Sequence, residues 1–153
     1  MKRFIGPFIV VGVLILAIAA LFSPRTSKVD AGSQFANILC DNFKAVSIST
    51  NTQIVTAANA NTFINICSYN LNASAALTFS IVEGTGTTCA TNTLAIVGGT
   101  TAAAGPSLGI AGTINYGGGS GVIAKTAVAG DNVCIFPSAG TLAGVVGWTP
   151  TPF

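Results

Sequence analysis

Two hydrophobic patterns divide this chain. Residues 4–22 run as one apolar stretch with no charged or strongly polar side chain, and beyond residue 36 the apolar positions come in short groups separated by Asn, Ser, Gly and Thr. Nineteen apolar residues at about 1.5 Å rise extend roughly 28 Å, close to the hydrocarbon thickness of a bilayer, which predicts an N-terminal transmembrane helix. Pro7 stands near its start and Pro24 just past its end, the two places where a missing N–H is tolerated. The same residues also allow a cleaved signal peptide, with Lys2 and Arg3 as the basic start and Ala17-Ile18-Ala19 as small residues for cleavage. The apolar run exceeds the about 7 to 15 residues of a signal core, and Arg25 and Lys28 follow it, which favours an anchor. Residues 1–23 are thus an anchor or signal sequence, and either one carries the rest of the chain across the membrane. Residues 24–36 are polar and lack apolar periodicity, so they read as a linker.

Residues 37–153 show the pattern of a β-domain. β-branched and aromatic runs at 43–49, 53–57, 62–71, 76–82, 94–97, 107–116, 122–126, 132–136 and 141–148 predict seven to nine short strands. Alternation is clearest at 43–50 and in Leu77, Phe79 and Ile81 against Thr78 and Ser80, which predicts one buried and one wet face. Long helices are disfavoured by 18 glycines and by the Thr, Val and Ile content of the apolar runs. The fold class expected is all-β, an antiparallel β-sandwich or jelly roll preceded by the N-terminal hydrophobic transmembrane helix. The Ala102, Ala103, Ala104 run is too short for a stable helix and ends at Gly105-Pro106, so it reads as a loop. The last residues, Trp148 to Phe153, contain two prolines, which predicts an extended tail unable to pair fully and free to dock on a neighbour.

Charge narrows the choice of partners. Charged residues make up 7% of the chain, against about 25% in an ordinary soluble domain, and the net charge is +2. Such a surface repels its neighbours weakly, so self-association or packing with other structural proteins is expected. Only Lys44 and Lys125 fall within the predicted domain, too few cations to displace the counterions of a nucleic acid, and no nucleic-acid partner is expected. Lys2, Arg3, Arg25 and Lys28 bracket residues 4–22 and are read as membrane-interface charges.

Cys40, Cys67, Cys89 and Cys134 all follow the apolar segment, an even number suited to an oxidising compartment. They lack the close pairs of a zinc site, and the chain has no histidine, so no metal and no cofactor are expected. Two disulfides are predicted, with three pairings open. Catalysis finds little support. Without histidine a Ser or Cys nucleophile has no ordinary base, and the four acids, Asp30, Asp41, Glu83 and Asp131, stand isolated in the sequence. Asp131 reads as a turn residue and Glu83 as a solubilising charge at a strand end. The chain is not expected to be an enzyme, and no catalytic residue is assigned.

Three stretches carry a resemblance. Phe63-Ile64-Asn65-Ile66-Cys67-Ser68-Tyr69, Gly84-Thr85-Gly86-Thr87-Thr88-Cys89-Ala90-Thr91 and Gly130-Asp131-Asn132-Val133-Cys134-Ile135 resemble small four-cysteine β-domain proteins of phage and bacterial genomes, over most of residues 40–148. The resemblance implies a β-domain at a virion or cell exterior and brings no active site with it. The expectation is a structural protein of a phage particle, anchored by residues 4–22 and displaying its β-domain outside. The alternative is a bacterial envelope or surface-filament subunit acting as a binding or assembly module.

Overall fold

Short apolar runs with period-two alternation form strands when each can lay one face on a shared core, and here they do so in two layers. The structure, a computed structural model, describes residues 40–118 and 121–152. The apolar segment 4–22, its flanking Lys2, Arg3, Arg25 and Lys28, and the linker 24–36 lie outside the described residues. Among the described residues no helix is long and apolar enough to cross a membrane.

Among the described residues ten strands follow one another: β1 (Asn42–Ile48), β2 (Thr52–Val55), β3 (Thr62–Ala73), β4 (Leu77–Thr85), β5 (Thr91–Val97), β6 (Ser107–Leu108), β7 (Thr113–Tyr116), β8 (Ala124–Lys125), β9 (Asn132–Pro137) and β10 (Leu142–Pro152). The first sheet has the order β1-β10-β3-β7, with β8 also on β3, and the second β2-β9-β4-β5, with β6 also on β4. All pairings are antiparallel. Each sheet therefore has two central strands, β10 and β3 in one and β9 and β4 in the other. The outcome is an all-β, sandwich-like domain whose inner faces share one core.

That core takes Val46, Ile64, Ile66, Leu71, Leu142 and Val146 from the first sheet and Ile54, Phe79, Ile81, Val133 and Ile135 from the second. Across it, the rings of Tyr69 and Phe79 meet edge to face, with centroids 6.5 Å apart. Leu77, Phe79 and Ile81 point inward as alternation predicts, but the opposite face of β4 is not wet. Ser80 and Val82 are fully buried there. Val82, Cys89, Cys134 and Phe136 form a second cluster beneath Ala102, and the Ser80 hydroxyl donates to the Thr101 carbonyl at 2.6 Å. A loop distant in sequence covers this face, and no local pattern announces it.

β3 changes its buried face partway along. Residues 62, 64 and 66 are buried before a register shift opposite Gly147 and Trp148, and residues 69, 71 and 73 are buried after it. Cys67 is the extra residue of this bulge, so one strand serves the core at two parities. Gly144, on β10, holds φ +152, and a Cβ there would lie 1.9 Å from the Asn70 carbonyl oxygen. Only glycine lets the two central strands approach so closely.

Two readings need correction. The run 107–116 is not one strand: Gly112 N–H closes onto the Gly109 carbonyl at 2.9 Å, Ala111 takes φ 56, and β6 and β7 join different sheets. The C-terminal tail is also not left for a neighbour, because β10 continues to Pro152 and pairs with β3 as far as Thr62. β1 ends its pairing at Trp148, so Pro150 and Pro152 lie where β10 has a neighbour on one side only, the position in which a strand tolerates proline. The alanine run is a single 3-10 turn, Ala102–Ala104.

The two cross-links are Cys40–Cys67, 27 residues apart in sequence, and Cys89–Cys134, 45 apart. Closing loops of these sizes restricts the unfolded chain by about 3.5 and about 4 kcal/mol respectively. The paired substitutions Cys40→Ala/Cys67→Ala and Cys89→Ala/Cys134→Ala are predicted to lower unfolding free energy by about those amounts. Loss of the second pair should cost more, because both of its sulfurs are fully buried and leave a cavity. Urea titration of the oxidised proteins checks both values and their order.

Candidate functional site

The four cysteines, predicted to form two disulfides of unassigned partners, are all bridged. Cys40 ties the segment before β1 to the bulge of β3, and Cys89 ties the loop after β4 to the outer face of β9. Two buried disulfides suit an oxidising compartment. With every cysteine sulfur in a bridge, none is free as a thiolate ligand.

The acids are not where isolated surface charges belong. Glu83, near the end of β4, is 1% exposed, and Asp131, just before β9, is 3% exposed. One Glu83 carboxylate oxygen accepts the Ala127 N–H at 2.6 Å, and the Val128 N–H also donates to this group. The carboxylate thus organises the segment between β8 and β9. That segment is held further where Ile64 N–H donates to the Thr126 hydroxyl at 3.0 Å and Gly130 N–H to the Thr62 carbonyl at 2.9 Å. Oδ2 of Asp131 is buried without a hydrogen-bond partner. Burial pushes the Glu83 carboxyl above the ordinary range, the two N–H donors pull it back, and the nearby Asp131 charge raises it again. Burial raises Asp131 as well. The fold therefore joins two acids 48 residues apart, a pairing with no signal in their spacing, and closes them from solvent so that neither presents an oxygen to a dissolved substrate.

Once these two are buried, the exposed charges among the described residues are Asp41, Lys44 and Lys125. Lys125 is partly occupied, with its Nζ 3.7 Å above the Phe63 ring. The accessible surface is instead built from Ser, Thr, Asn, Gly and a few apolar side chains.

Two of the depressions among the described residues stand out. One, of about 430 Å³, opens between the sheets beside β5 and β7 and is lined by Ile96, Val97, Pro106, Ile114, Ile123 and the stacked rings of Tyr69 and Tyr116, whose centroids are 5.7 Å apart. Tyr69 is buried and Tyr116 is exposed, so the pair forms a step from core to solvent. The hydroxyl of Tyr69 is held protonated above its usual range by that burial and by Tyr116. The other depression, of about 380 Å³, lies on the outer face of the first sheet among Phe43, Ser68, Asn70, Asn115, Gly117 and Val145. Phe43 is 63% exposed there. Alternation along 43–50 marks it as lying on the face opposite Val46 and Ile48, but nothing local reveals what stands beside it.

Comparison of the chain with protein-family models, with curated proteins and with solved structures gives no match. The chemistry that the geometry offers is thus that of surfaces: neutral, hydrogen-bonding, and broken by isolated apolar groups.

The buried acids make stability depend on pH in a direction opposite to that of ion-paired carboxylates. Their folded-state pKa values lie above those of the unfolded chain, so folding takes up protons, and stability is lost as pH rises from the ordinary carboxyl range through the raised values. The melting temperature is predicted to rise as pH is lowered from about 7.5 to about 5. Asp131→Asn should flatten this dependence by removing one buried charge. Scanning calorimetry across that range measures both.

Proposed function

We propose that this chain is a structural protein of a virus particle, a phage, held by residues 4–22 in a membrane or protein shell with its β-domain displayed outside. The observation that carries this reading is the strand order. With β6 and β8 taken as short additions, β1-β10-β3-β7 facing β2-β9-β4-β5 is the order of a jelly roll, in which chain neighbours alternate between sheets except for the β4-β5 hairpin and the last strand lies beside the first. Virus capsid domains use this architecture, and so do lectins and cupins, so the fold alone is an analogy. Three further features support it. A surface with three exposed charges among the described residues offers little self-repulsion and suits residence in a packed assembly. The disulfides suit exposure outside the cytoplasm. With histidine absent from the chain and Glu83 and Asp131 enclosed, Asp41 is the one exposed acid among the described residues, which favours a structural over a catalytic role.

The test is proteomics of purified particles produced from cells that carry this gene, together with fractionation of the same cells without virus. The reading predicts the chain in the particles in stoichiometric amount, with its described domain cut or labelled by reagents that do not enter them. Recovery from cell envelopes with no virus present, and none in particles, would overturn it in favour of a bacterial surface subunit.

A further inference from the structure

We propose that the outer face of the first sheet is a binding site for neutral carbohydrate, with the Phe43 ring as a platform and Ser68, Asn70 and Asn115 as its hydrogen-bonding groups. The argument begins from the register. Phe43 pairs with Gly147, and Gly147 with Ser68, so these three lie in one row across β1, β10 and β3. Ala45, Val145, Asn70 and Asn115 form the adjacent row. Alternate positions along a strand share a face, so both rows open on the same side, and this is where the 380 Å³ depression lies. Its size is within the about 300 to 1,000 Å³ of small-ligand sites.

The ring is positioned by an absent side chain. A Cβ on Gly147 would come within 2.9 Å of Phe43 Cε1 and 2.7 Å of Ser68 Oγ, so the aromatic ring occupies the space that any other residue there would fill. It lies against the sheet yet remains 63% exposed. An aromatic face of this kind attracts polarised C–H groups through its negative quadrupole.

The amides beside it are unspent. Among the described residues, Asn65 donates to Thr151, and Asn72 donates to the Ala111 carbonyl at 3.3 Å and to the Thr113 hydroxyl at 3.1 Å. Among the described residues, the side chains of Asn70, Asn115 and Ser68 find no hydrogen-bond partner. Asn70 and Asn115 are direct cross-strand partners, so their Cβ atoms are about 5 Å apart. Each amide offers an acceptor oxygen beside a two-proton donor, the arrangement that bridges adjacent hydroxyls of a sugar ring. A ligand with hydroxyls on its rim and C–H groups on its face matches this set.

Charge separates carbohydrate from the other planar ligand that an amide reads, a nucleobase. Lys44 stands at an alternate position on β1 and belongs to the opposite face, so among the described residues no cation lines the depression to meet a phosphate. The same absence disfavours sulfated and uronic-acid polymers. An open, shallow site of one ring and three polar groups implies weak single-site binding, with a Kd of about 1 mM, and repeated display on a particle would add avidity. The site does not depend on the virion reading, and its test uses the isolated protein.

The experiment is a chemical-shift titration of the oxidised full chain in a non-glycosidic detergent. The probes are cellohexaose, maltohexaose, mannohexaose and chitohexaose, with a heparin hexasaccharide as the charged control. At least one neutral hexaose should shift the side-chain amides of Asn70 and Asn115. Phe43→Ala should weaken that binding by about tenfold or more, with Phe43→Tyr retaining it. Asn115→Ala should weaken it too, whereas Leu94→Ala, on the other sheet, should leave it unchanged. The melting temperature of each variant checks that the fold is intact. Failure of all four neutral probes, binding by Phe43→Ala equal to the parent, or tighter binding of heparin would each overturn the proposal. So would a Phe43→Ala variant that loses self-association while no saccharide shifts these amides, which would make the face a contact between copies.

Discussion

The antiparallel ladder between β3 and β10 is the constraint on which the rest of the domain depends. It joins residues 62–73 to residues 142–152 through eleven register pairs, and it places the C-terminal strand at the centre of the first sheet. β1 has no partner in that sheet until β10 arrives, because its neighbour across Asn42–Ile48 is β10 alone. The second sheet repeats the arrangement, with β4 central and β9, also late in the chain, beside it. A domain of this kind gains little from local contacts and must close long loops before its core forms, which makes folding slow and exposes apolar edges in the meantime. The two disulfides act on this difficulty: Cys89–Cys134 joins the β4–β5 connection to β9, and Cys40–Cys67 joins the start of the domain to β3.

The same ladder explains how a sheet with few charges stays specific. Register in an antiparallel pair is set by which side chains must reach the core, and a slip by one residue would send Val146 and Leu71 outward. The bulge at Cys67 adds a second lock, since the parity of β3 matches its partner only when the extra residue sits opposite Gly147 and Trp148. Polar specificity is placed at the rim. Thr126, Asn132 and Ser138 bond distant backbone groups of β3, the segment after β2 and β4, so loops are held by neutral hydrogen bonds where other proteins use ion pairs. Glu83 belongs to this set. Its carboxylate serves as an acceptor for two N–H groups, and the raised pKa is the consequence of placing that acceptor in the interior.

Much of the strand content was legible from period-two alternation, and the reasons for the failures are physical. Leu77, Phe79 and Ile81 were readable as an inward row because an edge of Thr and Ser separated them. Alternation predicts a wet Ser80 and a solvated Glu83, and both are buried because their covers come from residues 98–106 and 126–131, and periodicity carries no information about what a distant loop lies upon. Residues 107–116 keep a strand-like composition through a turn, since Gly109, Ile110, Ala111 and Gly112 include no proline or acid to mark the break. The disulfide partners were open among three pairings because connectivity is a property of topology. In the tail, the prolines are hostile to full pairing, but a strand that has lost one neighbour needs only half of its hydrogen bonds. The candidate surface was the least legible part: Phe43, Ser68, Asn70 and Asn115 come from three strands, and only register brings them together.

β10 links the two halves of the molecule's chemistry. Its inward residues, Leu142 and Val146, close the core, while Val145 lines the outer depression and Gly147 lies against the Phe43 ring. Because alternate residues of one strand serve both sides, the position of Phe43 outside is tied to the packing of Val146 inside: a shift of β10 along β1 that disturbed the core would also move Gly147 from beneath the ring. An aromatic group on a flexible loop would lose conformational freedom on binding, whereas this one is already confined against the sheet. The rigidity that the sandwich needs for its own stability is therefore the same rigidity that keeps an exposed ring and two free amides at fixed separation.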